Sequence, residues 1–271
     1  MISINGTTLT FNTFPNAETL VDGKQILSLI QTGEENIVVF KYEDDTDLMK
    51  LFFVKRFLDD CKAKASLLIT YMPYSRMDRK EGDSVFTLKY IASFINDLAF
   101  ESVRVIEPHS DVTPALIDRC IPEYPTLNLL TKAMEIVGFD KERDYLFFPD
   151  AGAQKRYGKV SGVKQLVGYK ERDFQSGHIK QLQVVGNVEK PGFKVIIVDD
   201  LCSKGGTFML SGTELRKIGA SEVHLLVTHC EKTIFKGDLL NTDVINTIIT
   251  TDTILDGNTH DKMIVFKAFN N

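Results

Sequence analysis

The sequence lacks several features that would assign it to a particular class of protein. Its 271 residues include only four cysteines, Cys61, Cys120, Cys202 and Cys230. They are far apart and show no C-x-x-C spacing, so neither a zinc site nor a disulfide framework is expected. No apolar run approaches the roughly 18 residues that span a bilayer. The opening residues, MISINGTTLTF, lack the basic and apolar regions of a signal peptide. We therefore expect a reduced, cytoplasmic protein that does not contact a membrane.

A strong excess of charge of either sign is also missing. The formal net charge is -5, with 25% charged and 43% hydrophobic residues, which is the composition of an ordinary globular protein. A nucleic-acid partner is not expected, because the chain carries no bulk positive charge. The length is sufficient for one large domain or two moderate ones.

Short apolar runs alternate with helical patterns along the chain. Leu51, Val54 and Leu58 recur at helical spacing between the predicted strands NIVVF and SLLITYM. The same alternation continues to the end of the sequence, which predicts βαβ units and an α/β fold with largely parallel sheets. Two prolines in CIPEYPT (120–126) mark the expected boundary between domains 1–126 and 127–259.

Polar side chains follow four of the predicted strands at the point where each strand ends. They are Arg76 and Asp78, His109, Asp150, and the pair Asp199 and Asp200. Any one of them is also typical of a helix cap or a solvated loop. Ligands of open parallel sheets bind at the carboxyl ends of the strands, so four such positions together favour a binding site.

The stretch VIIVDDLCSKGGT (195–207) combines the aspartate pair with a glycine-rich turn. Gly205 and Gly206 have no β-carbon, so their backbone N–H groups can approach an anion, and a helix that begins near Thr207 adds its positive dipole end. This pattern predicts a phosphate site. Asp199 and Asp200 suit nearby hydroxyl groups or a metal ion, so a sugar phosphate is the expected ligand. The spacing of a P-loop and the G-x-G-x-x-G fingerprint are both absent from the sequence.

The same stretch resembles the phosphoribosyl pyrophosphate motif of type I phosphoribosyltransferases and ribose-phosphate pyrophosphokinases. Six further segments resemble, in the same order, those of the pyrophosphokinases: TFPNAE (13–18), PYSRMDR (73–79), EPHSD (107–111), PDAGAQKR (149–156), YKER (169–172) and LVTH (226–229). The resemblance to the pyrophosphokinase family covers nearly the whole chain.

The resemblance implies two similar α/β domains of the type I phosphoribosyltransferase kind. The first would bind ATP and the second ribose 5-phosphate, and the last strand (about 260–271) would return to the first domain. It also implies that the diphosphoryl group of ATP is transferred to the C1 hydroxyl of ribose 5-phosphate, with Mg²⁺ required. A homodimer or higher homo-oligomer is implied as well, because the TFPNAE segment serves a neighbouring subunit in this family.

Particular roles follow from the resemblance for the matching residues. Lys170 and Arg172 lie in the polar stretch YKERDFQSGH (169–178), which is expected to form a loop between two apolar strands. They would be catalytic, since two cations can stabilise charge on the transferring group. Phe14, Asn16, Glu18, Arg76, Asp78 and His109 would bind ATP. Asp150, Ala151, Gly152 and Ala153 would form the pyrophosphate loop. Asp199, Asp200, Ser203, Lys204, Gly205, Gly206 and Thr207 would bind ribose 5-phosphate. His109 and Asp150 would hold the metal ion.

The chain departs from the family pattern at four positions. Ser203 and Lys204 stand where the family usually has Asp and Thr, and Met77 stands where it usually has Gln. Ala153 replaces a second glycine. Two alternatives therefore remain beside a pyrophosphokinase: a type I phosphoribosyltransferase and a non-catalytic regulatory homologue.

Overall fold

The computed structural model describes residues 1–172, 179–257 and 260–269, without the side chains of 170–172 and 179–181. The chain divides into two compact units between Tyr124 and Pro125, two residues before the boundary expected from the sequence. The first unit also includes Phe269. Each unit is built around its own β-sheet.

The first unit contains eight strands and four helices among its described residues. The strands are β1 (Ile2–Ile4), β2 (Thr7–Thr8), β3 (Phe11–Thr13), β4 (Thr19–Val21), β5 (Asn36–Phe40), β6 (Ala65–Ile69), β7 (Val103–Ile106) and β8 (Cys120–Glu123). The helices are α1 (Gly23–Leu29), α2 (Thr46–Asp60), α3 (Thr87–Asp97) and α4 (Val112–Leu116).

Six of these strands form one sheet in the order β2-β1-β5-β6-β7-β8. Strands β5 to β8 run parallel, and β1 and β2 form an antiparallel hairpin at one edge. Asn5 and Gly6 both adopt positive φ angles in the turn of this hairpin, as the Asn-Gly dipeptide predicts. Strands β3 and β4 form a separate two-stranded sheet.

The core of the first unit lies between this sheet and its longer helices. Leu51, Val54 and Leu58 of α2 are fully buried, so the helical spacing identified the buried face correctly. Leu88, Ala92 and Ile95 of α3 join the same cluster. Helix α2 ends at Asp60, and Lys62 follows in the left-handed region.

The second unit contains seven strands and three α-helices among its described residues. The strands are β9 (Tyr145–Phe148), β10 (Lys164–Arg172), β11 (Ile179–Val185), β12 (Phe193–Cys202), β13 (Ala220–Cys230), β14 (Thr247–Thr251) and β15 (Met263–Phe266). The helices are α5 (Thr126–Val137), α6 (Ala151–Tyr157) and α7 (Gly206–Lys217), and two short 3₁₀ helices cover Lys232–Lys236 and Leu239–Asn241.

The second sheet has the order β11-β10-β9-β12-β13-β14-β15, and only the pairing of β10 with β11 is antiparallel within it. Alternate residues of the central strand β12 bury on opposite faces, as the period of two requires. Val195 and Ile197 belong to one hydrophobic cluster, and Ile196 and Val198 belong to the other. Both faces are covered, so the predicted fold class of α/β units with largely parallel sheets is confirmed.

Two expectations about individual elements are wrong. Met263–Phe266 pairs in parallel with Thr247–Thr251 in the second sheet, so this strand does not return to the first unit. The parallel pairing extends the second sheet by one more edge strand. Lys170 and Arg172 were expected in a polar loop, but strand β10 continues through both of them. The rest of the expected loop, residues 173–178, falls outside the described residues.

Among the helices that the structure describes, none has the length and apolar character that crossing a membrane would require.

Candidate active site

The two aspartates of the VIIVDD segment lie inside strand β12 rather than at its end. The strand continues to Cys202, which pairs with Cys230 of β13. Asp199 is half-buried and Asp200 is buried. The backbone N–H of Asp200 donates a hydrogen bond of 2.9 Å to Oδ1 of Asp199. The parallel strands therefore carry both carboxylates to the carboxyl edge of the second sheet, where the sequence predicted a site.

The two carboxylates differ in their electrostatic surroundings. Burial raises the pKa of Asp199 well above its usual value, and the charges of Asp200 and Asp150 raise it further. Asp200, in contrast, has Oδ2 at 3.6 Å from a guanidinium nitrogen of Arg156. A nearby cation favours the ionised form of a carboxyl group. Asp200 is therefore the better anionic hydrogen-bond acceptor of the pair.

Arg156 is a site residue that the sequence interpretation did not assign. It lies in the last turn of helix α6, and its side chain is 25% exposed. The available signal was its place in PDAGAQKR, six residues after Asp150 in the same segment. Helix α6 is too short for the hydrophobic periodicity of the sequence to predict it. Without that helix, the sequence gives no reason to place Arg156 at the carboxyl edge of the second sheet.

The expected pyrophosphate loop forms the start of helix α6. Asp150 is the N-cap, and its Oδ1 accepts a hydrogen bond of 3.0 Å from the N–H of Ala153. Ala151, Gly152 and Ala153 make up the first turn. A β-carbon at Gly152 would lie 3.2 Å from Oδ1 of Asp150. The family's second glycine is replaced by Ala153, whose side chain is buried here.

The expected phosphate loop connects strand β12 to helix α7. Gly205 is the N-cap of α7 and adopts the left-handed conformation at φ 84°. A β-carbon there would also lie 2.6 Å from Cδ2 of Leu239, whereas one at Gly206 would meet nothing within 4 Å. Lys204 is exposed and Thr207 is half-buried. The first amide groups of a helix have no intrahelical partner and favour an anion, as the sequence interpretation required.

Ser203 contacts a residue that the sequence interpretation also missed. Its Oγ donates a hydrogen bond of 2.7 Å to Oε2 of Glu231, and Oγ1 of Thr233 donates to the same oxygen at 3.0 Å. Glu231 follows strand β13, 28 residues after Ser203. Only the pairing of β12 with β13 brings the two together, so no local pattern in the sequence could have found this contact.

Lys170 and Arg172 lie at the end of strand β10. The backbone of Lys170 pairs with Leu182 of β11, and that of Arg172 pairs with Ile179. The register shifts between Glu171 and Arg172. The side chains of both expected catalytic residues fall outside the described part of the structure.

In the first unit, Phe14, Asn16 and Glu18 lie together at the turn between β3 and β4. The N–H of Phe14 donates to the Glu18 carbonyl at 2.9 Å, and the N–H of Glu18 donates to Oδ1 of Asn16 at 3.3 Å. With Pro15, these residues line a shallow open pocket. The Phe14 side chain is 49% exposed. The turn therefore presents an aromatic ring and polar groups to the outside of the unit.

The remaining expected ATP residues follow the neighbouring parallel strands β6 and β7. Arg76 is exposed, and Oδ1 of Asp78 is 3.8 Å from Arg79. His109 is half-buried after β7. The topology thus brings Arg76, Asp78 and His109 to the carboxyl edge of the first sheet, and it keeps the β3–β4 turn outside that sheet.

The turn that carries Arg76 is fixed by residues that the sequence interpretation did not single out. Tyr74 has a positive φ of 60°, and its hydroxyl donates to Oδ1 of Asp45 at 2.5 Å. The Tyr42 hydroxyl donates to the same oxygen at 2.7 Å. These hydrogen bonds, that from Tyr74 first, lower the pKa of Asp45. Non-glycine residues at such φ angles are uncommon, and they persist where the surrounding contacts impose them.

Comparisons with known proteins agree with the motifs. The ribose-phosphate pyrophosphokinase of Saccharolobus solfataricus is 27% identical over 260 residues, which cover 93% of this chain and 85% of the relative. That of Sulfolobus acidocaldarius is 29% identical over 249 residues, covering 89% and 82%. The chain resembles the ribose-phosphate pyrophosphokinases over most of its length. No family model matches it.

The fold agrees with a solved pyrophosphokinase as well. The crystal structure of phosphoribosylpyrophosphate synthetase from Mycobacterium smegmatis aligns over 96% of this chain and 86% of its own, with a TM-score of 0.77. The sequence identity is 19%, so this likeness concerns the fold alone.

Proposed function

We propose that the protein is a ribose-phosphate pyrophosphokinase. It would transfer the β,γ-diphosphoryl group of ATP to the C1 hydroxyl of ribose 5-phosphate, giving phosphoribosyl pyrophosphate and AMP. The observation that carries this proposal is the arrangement at the carboxyl edge of the second sheet. There a carboxylate pair precedes a loop whose left-handed Gly205 caps helix α7, in a chain that resembles these enzymes along most of its length.

The chemistry of that edge fits ribose 5-phosphate. Asp200 lies beside Arg156 and can accept hydrogen bonds from adjacent sugar hydroxyls. Lys204, Thr207 and the backbone amides at the start of α7 can bind the 5-phosphate. The phosphate cannot bind next to the carboxylates, because like charges repel. The hydroxyl end of the sugar therefore lies towards Asp199 and Asp200 in the proposed complex.

The ATP residues would be Phe14, Asn16, Glu18, Arg76, Asp78 and His109. The exposed ring of Phe14 offers a surface on which adenine can stack. The guanidinium of Arg76 offers a planar set of donors for phosphate or an adenine edge. Because the Phe14 turn lies outside the six-stranded sheet and leaves Phe14 exposed, we assign it to the ATP site of a neighbouring copy in a homo-oligomer.

Mg²⁺ is the metal ion that this reaction would use, with His109 and Asp150 as its proposed protein ligands. No group of three or more His, Cys, Asp or Glu side chains is placed to hold a metal ion in the described parts of the chain. A small number of protein ligands suits Mg²⁺, which usually keeps several waters and binds substrate phosphates. Asp150 uses Oδ1 to cap helix α6, and a carboxylate has further lone pairs to offer. When bound, Mg²⁺ would neutralise charge on the triphosphate.

Diphosphoryl transfer depends on positioning and on neutralising charge in the transition state. Lys170 and Arg172 would supply two cations for that purpose from the end of strand β10. The turn of Asp150, Ala151, Gly152 and Ala153 would contact the diphosphoryl group in the product complex. Asp199, with its raised pKa, would add less negative charge to this region than an ordinary aspartate.

The test is AMP formation from ATP and ribose 5-phosphate in the presence of Mg²⁺, followed with a coupled assay and by ³¹P NMR of the product. We expect stoichiometric AMP and phosphoribosyl pyrophosphate, and no AMP when the sugar is omitted. Consumption of phosphoribosyl pyrophosphate with a nucleobase would instead identify a type I phosphoribosyltransferase. Binding of both substrates without turnover, together with a changed activity of an active homologue after mixing, would identify a regulatory homologue.

A further inference from the structure

The loop of residues 203–206, proposed to bind phosphate, rests on a segment that follows the neighbouring strand. The N–H of Glu231 donates a hydrogen bond of 2.8 Å to the Cys202 carbonyl. A β-carbon at Gly237 would overlap the carbonyl oxygen of Lys204. One at Gly205 would lie 2.6 Å from Leu239. Residues 231–239 are therefore in close contact with the loop at Lys204 and Gly205.

The Glu231 carboxylate is the polar centre of this contact. A single oxygen, Oε2, accepts hydrogen bonds from the Ser203 hydroxyl at 2.7 Å and from the Thr233 hydroxyl at 3.0 Å. Both Glu231 and Ser203 are half-buried. The carboxylate thus joins the first residue of the loop to the segment beneath it, through bonds to a charged acceptor that are stronger than neutral ones.

This arrangement limits what Ser203 can do for a bound phosphate. A serine hydroxyl has one proton to donate, and that proton is directed at Glu231. A phosphate dianion needs donors, and the carboxylate of Glu231 has none. Ser203 is then a link between the loop and Glu231, and the donors for phosphate are Lys204, Thr207 and the backbone.

We propose that Glu231 is a positioning residue of the phosphate loop, acting through Ser203, and that it determines affinity for the phosphate end of the sugar. The inference rests on the proposed function. Holding the loop in its binding conformation before the ligand arrives removes an ordering cost from the binding step. Glu231 should therefore affect the affinity for ribose 5-phosphate and not the affinity for ATP, because the residues assigned to ATP include none from this loop.

The first test compares Glu231→Ala with Glu231→Gln by calorimetry of ribose 5-phosphate and of ATP separately. The amide oxygen of Gln can still accept both hydroxyl bonds, whereas Ala cannot. We expect the dissociation constant for ribose 5-phosphate to rise about tenfold in Glu231→Ala. In Glu231→Gln it stays within about twofold of wild type, and neither variant changes the dissociation constant for ATP by more than about twofold. The matched control is Glu214→Ala, which removes a carboxylate that pairs with Lys217 at the far end of α7.

A double-mutant cycle that combines Glu231→Ala with Ser203→Ala tests whether Ser203 acts through Glu231 or binds the phosphate directly. If Ser203 acts only through Glu231, removing both residues weakens binding no more than removing one, because the two changes break the same contact. If the increases in the dissociation constant from the two substitutions multiply in the double variant, Ser203 binds the phosphate itself and the proposal is overturned.

Amide hydrogen exchange in the ligand-free protein supplies a readout that does not depend on the substrate. Exchange at residues 203–206 becomes faster in Glu231→Ala and stays as in wild type in Glu231→Gln. Unchanged exchange in Glu231→Ala would overturn the positioning role. If wild-type protein fails to bind ribose 5-phosphate, the proposed function fails, and the exchange experiment still decides whether Glu231 holds the loop.

Discussion

At the scale of single residues, the two adjacent carboxylates of β12 are not equivalent. Asp199 is the one whose pKa is raised by burial and by its acidic neighbours, while Asp200 faces Arg156. The two aspartates therefore meet different surroundings although they are adjacent in the sequence. This difference makes Asp200 the carboxylate to test first.

We predict that Asp200→Asn weakens binding of ribose 5-phosphate about tenfold or more. The amide has nearly the same shape, but it accepts fewer hydrogen bonds and no longer neutralises Arg156. One lost charge-assisted hydrogen bond corresponds to roughly 1.5–3 kcal/mol. The measurement is calorimetric titration with the sugar, with the exposed Asp261→Asn as control. An unchanged affinity for the sugar would remove Asp200 from the site.

His224 provides a residue-scale prediction that concerns stability and not binding. It is buried in β13, in register with Ile196 and Thr247 and five residues before His229 near the carboxyl edge. Its Nε2 is 3.2 Å from Glu222, and in the described structure its Nδ1 has no hydrogen-bond partner. Burial lowers the pKa of His224, and this outweighs the opposing charge of Glu222.

The sign of the pH dependence follows from the lowered pKa. The folded protein holds His224 neutral, while the unfolded chain takes up a proton below its ordinary pKa of about 6.5. The contribution of neutral His224 to the free energy of unfolding is present above that pH, and it is lost as the pH falls towards the pKa of His224 in the folded protein. We predict that the free energy of unfolding decreases from about pH 7.5 to pH 5 and that His224→Leu reduces this decrease. Urea denaturation at several pH values measures the free energy of unfolding. If it decreases equally with falling pH in the variant and the wild type, the prediction is contradicted.

At the scale of elements, the start of helix α7 depends on one glycine. Gly205 has a φ of 84°, where a side chain is strained, and a β-carbon would also contact Leu239. We predict that Gly205→Ala lowers the free energy of unfolding by about 1–3 kcal/mol. Gly206→Ala should not lower it, since its β-carbon would meet open space. Denaturation of both variants tests the pair, and equal losses would show that the left-handed cap is not required.

The hairpin of β10 and β11 carries the second element-scale prediction. The backbone of Lys170 and Arg172 lies at a paired strand end, and we assign their cations to the charge that develops during transfer. Lys170→Ala and Arg172→Ala should each lower kcat by about two orders of magnitude or more, since one preorganised donor contributes roughly 3 kcal/mol. KM for both substrates should change little. A raised KM with kcat intact would make them binding residues, and no change in either would leave them as solvated strand ends.

The elements also show where a sequence interpretation succeeds and where it stops. Helical periodicity predicted α2, because burial on one face imposes a pattern on neighbouring residues. A continuous apolar run predicted β12, which is buried on both faces. The polar ends of parallel strands predicted the edge where Asp199 and Asp200 lie. The sequence did not predict Glu231 and Arg156 as site residues. Each reaches the site through a tertiary contact, and neither belongs to a local sequence pattern.

At the scale of the whole molecule, the resemblance was a poor guide to the place of the last strand, which pairs with the strand that precedes it in the chain. The short apolar run in KMIVFKAF (262–269) permits an edge strand in either sheet, and the resemblance favoured the first. The register of Met263–Phe266 against Thr247–Thr251 puts it in the second. A short edge strand is defined by one neighbour only, and its hydrophobic pattern does not say which sheet supplies that neighbour.

The last prediction concerns the assignment of the Phe14 turn to a neighbouring copy. If each ATP site combines the turn of one subunit with the remaining residues of another, two defective variants can complement each other. In a mixed dimer of Phe14→Ala and Lys170→Ala, one site carries both defects and the other carries neither. Random exchange makes about half of the dimers mixed, so activity should recover to about a quarter of wild type.

The measurement is AMP formation after the two variants are mixed, partly denatured and refolded together to exchange subunits. Each variant treated alone in the same way is the control. The position of the turn supports the prediction, because the ring of Phe14 is 49% exposed and faces an open pocket formed by the turn itself. Aromatic side chains are enriched at contact surfaces between proteins. If the mixture has only the summed residual activities of its components, each site is contained within one chain, and the Phe14 turn does not serve a neighbour.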